Sequence, residues 1–502
     1  MTRAGVGRKS EAKSREPFPL PAAAFLFVAG LIALSILINL MSFKPGHDWG
    51  DDYAGYVLQS KTIASGDFQG LERHIGNTEL ILNYPWGFPL ILSPVIGYFD
   101  DHIRAVKFYV YIFFILALLV FHRLIRGEAT AAAFTLLLIA VNPYFWDFKN
   151  SILADFPHLF FCFLSLLLID FVVVKKRLCL NALMSNLLLG TSIFLTYFVR
   201  NQSILLLLVL LLMQVLTRKA GPRERGTFPY ALVPYAVFLG LAVSSSLLIP
   251  VSSTSYLGQY DFHAGFLLKT VLRNGLYYAA VWKELFQGVS VVSRFSTAFA
   301  AALLIPAILG IRNTFKKMPL LAVFFAIHLG MMLITPFHQG LRYIMPLAPI
   351  YFYYVVNGTG FLCSKCCRRS GRTAYYAFVG LLFAASFRTI FLCSLANFRA
   401  PVVDAGAYRE TSREMLSFIR SRSRPEDRIA FFKPRAMLLH GCRDGIFPSS
   451  IQHCRDRRAD YLVYCKYAGE GQLSWAEISR HQAELQPVFS NDDFVIFRMA
   501  GR

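Results

Sequence analysis

The stretch HDWGDDYAGYVLQSKTIASGDF, His47 to Phe68, follows directly on the first long apolar run of the chain and sets two adjacent carboxylates, Asp51 and Asp52, just outside it. The run before it, Pro17 to Phe43, contains no charged residue. It exceeds the roughly 20 apolar residues that a helix rising 1.5 Å per residue needs to cross a bilayer. It is also too long for a signal-peptide core and no A-x-A-like site ends it, so it is expected to be kept as a first span.

Beyond this stretch the pattern repeats. Apolar runs near residues 18–42, 104–121, 129–146, 156–174, 181–198, 203–217, 228–250, 294–311, 319–336, 342–361 and 374–396 predict about 11 spans. With 55% hydrophobic and 16% charged residues and a mean hydropathy of +0.47, an ordinary water-soluble globule is excluded. The formal net charge of +21 does not indicate a nucleic-acid partner, because the cations gather in short gaps between apolar runs. Alternate gaps carry RKSEAKSR, HRLIR, KKR, RKAGPRER, RNTFKK and KCCRRSGR. The positive-inside rule assigns those gaps to the cytoplasm. The expected organisation is therefore a basic cytoplasmic N-terminus at residues 1–17, a transmembrane domain at 18–396 with an outer loop at 43–103, and a C-terminal domain at 397–502 on the outer, periplasmic face. A bacterial inner membrane is the expected location.

The fold class predicted is an all-α multi-pass membrane protein with a small C-terminal α/β domain. In that tail YRETSREMLSFIRSR and WAEISRHQAEL have helical spacing, whereas RIAFFK, ADYLVYCK and DDFVIFRM read as strands. The tail shows no catalytic constellation and is assigned an accessory role. NYPWGFPLILSPVIGYF is apolar but broken by Pro85, Pro89 and Pro94 and predicts an interfacial or re-entrant segment. The region Phe262 to Phe286 predicts a second helix lying in the outer interface. The cluster Cys363, Cys366, Cys367 lacks the second ligand pair of a zinc site. No GxxxxGK[ST] or HExxH motif supports nucleotide hydrolysis or a zincin reaction.

Polar residues at the outer ends of the spans are the candidates for chemistry. They are Asp51 and Asp52; Asp147, Lys149 and Asp155 in WDFKNSILADFPH; Arg200; and His338 and Arg342 in HQGLRYIMPLAPI. Charges at membrane depth are costly and tend to face one another or a cavity. Each also has a plainer reading. Asp51 and Asp52 read as solvated loop acids, Asp155 as a helix cap ahead of Pro157, Arg200 as a polar turn, and Arg342 as an arginine snorkelling to headgroups.

Together these motifs resemble the GT-C glycosyltransferases, in particular the protein O-mannosyltransferases and the lipid A aminoarabinose transferases. DDYAGYVLQSKTIASGDF resembles their first outer loop, in which an acidic pair precedes a helix closed by an ASGD-aromatic turn. YPWGFPLILSP, NSILADFP and LRYIMPLAPI resemble later motifs in the same order, so the likeness runs over roughly residues 45 to 360. The resemblance implies transfer of a sugar from a polyprenyl-phosphate carrier to an acceptor hydroxyl of a glycan, lipid or protein, with inversion and without a nucleotide. It implies Asp51 as the base and Asp52 as the second acid of the pair, or as the base if the register shifts by one. A neighbouring like charge and partial burial are expected to raise the pKa of such a base. Arg342 is implied for the phosphate, with Arg200, Lys149, His338 and Asp155 as further substrate contacts. No cofactor is required, although a divalent cation at Asp51 and Asp155 is compatible with the pattern. A transporter or flippase of a lipid-linked glycan and a non-catalytic assembly protein are the alternatives.

Overall fold

The computed structural model describes residues 18–69, 84–99, 102–176, 181–219, 229–248, 264–289, 292–335, 338–366, 370–399, 405–468 and 471–499. The basic segment 1–17 and residues 70–83 of the expected outer loop lie outside that set.

Among the described residues, seven helices are long and apolar enough to cross a membrane: Ala22–Met41, Ile103–Ile125, Asp155–Val174, Ala182–Val199, Tyr230–Leu248, Ser293–Thr314 and Gly371–Arg399. Three further expected spans appear as shorter apolar helices, Ala129–Ala140, Asn201–Thr217 and Pro319–Ile334. The expected span at 342–361 corresponds to the buried helix Leu347–Cys366. Short helices in the bundle follow from local breaks. Extended backbone at Arg200 (φ −149°, ψ 119°) interrupts one of them, and Pro319 starts another. Large apolar side chains stay exposed on the outer helices, among them Leu26, Phe27, Leu247, Leu248 and Leu276. In a bilayer such side chains face lipid and need no protein partner.

Small residues set the tightest contact in the bundle. Helices Leu304–Thr314 and Leu347–Cys366 pack together, and a Cβ on Gly358 would collide with the Pro306 carbonyl and lie 2.9 Å from the Gly310 nitrogen. Without a hydrophobic drive between helices in lipid, close backbone approach over glycine is what supplies the contact energy.

Outside the bundle, the opening stretch forms the helix Asp51–Ser65, ended by Gly66 at φ 73°, a left-handed stop that glycine adopts without strain. It packs on the proline-containing helix Gly87–Phe99. The expected interfacial segment at 262–286 contains the helices Ala264–Val281 and Glu284–Gln287.

The tail folds as a five-stranded sheet flanked by helices. The strands are β1 (Arg428–Ala430), β2 (Asp444–Ile446), β3 (Tyr461–Cys465), β4 (Leu485–Ser490) and β5 (Phe494–Met499), in the order β2-β1-β3-β5-β4. β1 pairs parallel with β2 and β3, whereas β5 pairs antiparallel with β3 and β4. The sequence patterns indicated β1, β3 and β5; β2 contains Gly445 within three residues, and β4 carries Pro487 and a register shift, so neither shows clean alternation. The helix Glu410–Arg422 lies where its spacing predicted.

Candidate active site

The acids and arginines that the sequence singles out sit at element ends. Asp52 is in the first turn of Asp51–Ser65 and Asp155 in the first turn of Asp155–Ile169. Arg200 occupies the break after Ala182–Val199, and Arg342 lies in the short turn Gly340–Arg342 that precedes Leu347–Cys366. Folding brings the four into one chain of charge. Arg200 forms an ion pair with Asp155 Oδ1. Arg342 donates from Nε to Asp155 Oδ2 at 3.3 Å and from a terminal nitrogen to Asp52 Oδ2 at 3.2 Å. Asp155 is fully buried, Arg200 and Arg342 are partly buried with 12% and 22% of their side-chain surface open, and Asp52 keeps 36% open. Asp155 therefore does more than end a helix. Its carboxylate compensates two guanidiniums, and the snorkelling alternative for Arg342 does not describe an arginine held between two acids.

Asp51 begins the same helix, but its side chain lies outside the described residues. Lys149 does not join the cluster. It is completely buried and donates to the Asn39 carbonyl at 2.6 Å and to Ser42 Oγ at 2.7 Å. That ammonium clamps the carbonyl end of the first span, where a cation meets unpaired acceptors and the negative helix end, rather than facing substrate. His338 also stands apart. It stacks on Tyr277 at 4.0 Å with Nε2 2.6 Å from Asn274 Oδ1. Asp147 pairs at the surface with Lys44 at 2.9 Å.

Two members of the site were not among the residues singled out from the sequence as candidates for chemistry. Tyr84 donates from its hydroxyl to Asp52 Oδ1 at 2.6 Å. Arg435, from the tail, donates to that same Tyr84 oxygen, lies over the Tyr84 ring at 4.8 Å, and reaches to 3.9 Å from Asp52 Oδ1. Tyr84 stands at the head of YPWGF and was legible as part of a motif. Arg435 sits in a segment with no catalytic pattern, and only the tertiary fold reveals it.

Electrostatically, Asp52 departs from expectation. Burial pushes its carboxyl upward, but the Tyr84 hydrogen bond and the charges of Arg342 and Arg435 outweigh it and leave the pKa below the usual carboxylate value. The expected upward shift is thus reversed in the free site. Burial also raises the Tyr84 hydroxyl, which stays protonated and can donate. Asp52 and Asp155 each stand in the first turn of a helix, whose positive dipole end favours an anion arriving there.

The architecture is that of the GT-C glycosyltransferases. A crystal structure of ArnT from Cupriavidus metallidurans bound to undecaprenyl phosphate superposes with a TM-score of 0.56 at 12% identity, over 94% of this chain and 98% of that one. The archaeal oligosaccharyltransferase AglB from Archaeoglobus fulgidus, in complex with an inhibitory peptide and a dolichol-phosphate, gives 0.54 at 13% identity, over 89% and 70%. No protein-family model matches the sequence, and no curated protein sequence matches it. The likeness is one of fold.

Proposed function

We propose that the chain is an integral-membrane glycosyltransferase that takes a sugar from a polyprenyl-phosphate carrier and passes it to an acceptor hydroxyl on the outer membrane face. The observation that carries this reading is the chain Asp52–Arg342–Asp155–Arg200, assembled at helix ends in a fold whose neighbour holds undecaprenyl phosphate. Asp52 is the one acid of the described cluster with open surface and takes the part of base.

In the reaction, the acceptor oxygen attacks the anomeric carbon while Asp52 removes its proton. The bond from that carbon to the phosphate oxygen breaks, and its electron pair leaves with the lipid phosphate. A single displacement of this kind inverts the anomeric carbon. Arg342 is the group for the leaving phosphate, because a guanidinium matches two phosphate oxygens and stabilises charge that develops there. Its contacts to Asp52 and Asp155 are long, at 3.2 and 3.3 Å. A phosphate that engages Arg342 therefore competes with Asp52 for it. Losing that positive neighbour lets the Asp52 pKa rise toward the working range of a general base. Donor binding would then switch the base on.

In this reading the described acids are already engaged, while Asp51, the other expected cation ligand, has its side chain outside the described residues. Both oxygens of Asp155 are taken by guanidiniums, Asp52 is shared between Tyr84 and arginine, and the described residues hold no cluster of three metal-ligating side chains. In this reading arginine supplies positive charge at the phosphate. The exposed apolar flanks of the helices suit membrane lipid and the isoprenoid chain, with burial worth about 25 cal/mol per Å².

The test is reconstitution of the full chain in liposomes with a panel of polyprenyl-phosphate-linked pentoses and hexoses and envelope extract from a deletion strain. Release of polyprenyl phosphate with transfer of label to glycan, lipid or protein supports the reading and identifies the acceptor. Labelled donor that crosses the bilayer intact, with no release, supports a flippase instead.

A further inference from the structure

The opening stretch divides its side chains between two partners. Asp52 turns into the membrane-domain site, while Trp49 and Tyr53 turn into the tail. Trp49 is nearly buried, donates to the Tyr467 hydroxyl at 2.8 Å, and meets Phe431, Phe432 and Phe494 edge-on at 5.3 to 6.2 Å. The fully buried Tyr53 places its hydroxyl 2.5 Å from His440 Nε2. Arg435 projects from the same face of the tail, five residues before His440, and reaches Tyr84 and Asp52.

Gly55 makes that reach sterically feasible. A Cβ there would lie 2.6 Å from Tyr84 Cε2 and 3.2 Å from Arg435 Cδ. Any larger residue would push the tyrosine ring and the arginine stem away from the carboxylate one turn earlier in the helix. Glycine is otherwise a poor choice inside a helix, where it costs roughly 1 kcal/mol relative to alanine.

We propose that the C-terminal domain is part of the catalytic unit: Arg435 crosses from it into the membrane-domain site and, through Tyr84, fixes the position of the Asp52 carboxylate. Arg435 is a positioning residue. Its guanidinium covers the Tyr84 ring and donates to the Tyr84 oxygen, so the tyrosine's own proton points to Asp52 Oδ1. Asp52 then presents Oδ2 to Arg342 and the substrate. The groups facing Asp52 are Tyr84 and Tyr56 from the outer loop, Arg342 and, beyond it, Asp155 and Arg200 from the bundle, and Arg435 from the tail. Among the described residues, Arg435 is the one that ties the tail's docking to the reacting carboxylate. The proposal rests on the transferase reading and adds a role for a domain that the sequence marks as accessory.

The experiment uses the full chain in liposomes with the same panel of polyprenyl-phosphate sugars. Arg435→Ala is expected to lower kcat about 100-fold with little change in donor KM, the size of loss that a misplacement of about 1 Å produces. Arg435→Lys restores part of the rate. Added guanidinium chloride at millimolar concentration restores Arg435→Ala at least several-fold, whereas equal sodium chloride does not. Gly55→Ala, which displaces the same two side chains from the other side, shows the same kcat loss. Wild-type kcat in Arg435→Ala overturns the proposal. So does a loss that follows the fraction of unfolded protein and resists guanidinium. A wild-type chain that turns over no member of the panel contradicts the transferase reading itself, and the positioning role falls with it.

Discussion

Asp52 lies between Arg342 on the bundle side and Arg435 on the tail side, with Tyr84 bonded to its other oxygen. This surrounding fixes a pH signature. In the free site the carboxyl pKa is depressed, so as pH falls the ionised base persists below the ordinary carboxylate value before protonation removes it. With donor bound, Arg342 is drawn to phosphate and the carboxyl takes its proton at higher pH. The acid limb of kcat is therefore expected at higher pH than that of kcat/KM, since the first reports the complex and the second the free enzyme. Coincident limbs would count against the exchange of Arg342. Asp155 has the complementary part: Asp155→Ala leaves Arg200 and Arg342 without their shared counter-charge. A loss of about 3 kcal/mol is expected, visible as a lowered melting temperature in detergent. Unchanged melting would mean that both arginines find water or other acceptors. The grouping of Asp52, Asp155, Arg200 and Arg342 was legible in the sequence because each charged residue sits at the end of an apolar run. That logic fails for Lys149, which satisfies its burial against the Asn39 carbonyl and the Ser42 hydroxyl at the end of the first span. It also cannot find Arg435, which lies 351 positions from Tyr84.

The helices show which elements must be exact for these contacts to form. Arg342 is carried by the turn leading into Leu347–Cys366, and that helix is held against Leu304–Thr314 through Gly358 and Gly310. Gly358→Leu is expected to abolish this packing and yield protein that precipitates on extraction, read as loss of the monodisperse peak in size-exclusion chromatography. Normal elution and melting would show that the crossing can open without cost. Apolar runs in the sequence located these helices well, because length and hydropathy are what a bilayer demands. They also located the break at Arg200, which falls in the gap expected between 198 and 203, but not the one after Ala140, where a single run was expected over 129–146; that stop depends on packing and local backbone geometry, which hydropathy does not encode.

For the molecule as a whole, the cluster, the helix Asp51–Ser65 and the tail all lie at one end of the bundle, the end proposed to face away from the cytoplasm. The tail thiol Cys442 and the thiol Cys366 at the end of Leu347–Cys366 are both exposed. A membrane-impermeant maleimide applied to intact cells is expected to label Cys442 and spare Cys366 until the membrane is opened. The reverse pattern would invert the topology and separate the site from an outer-face acceptor. The fold class was readable from composition and from the four motifs in order. The junction between tail and bundle was not, since Trp49 and Tyr53 read as ordinary loop and helix aromatics until their partners Tyr467 and His440 come into view. The most direct test of the account is the turnover of polyprenyl-phosphate sugars by reconstituted Asp52→Asn beside the wild-type chain. Loss of a general base predicts a fall of about 100-fold or more in kcat with the protein folded and inserted as before; transfer by Asp52→Asn at the wild-type rate would contradict it.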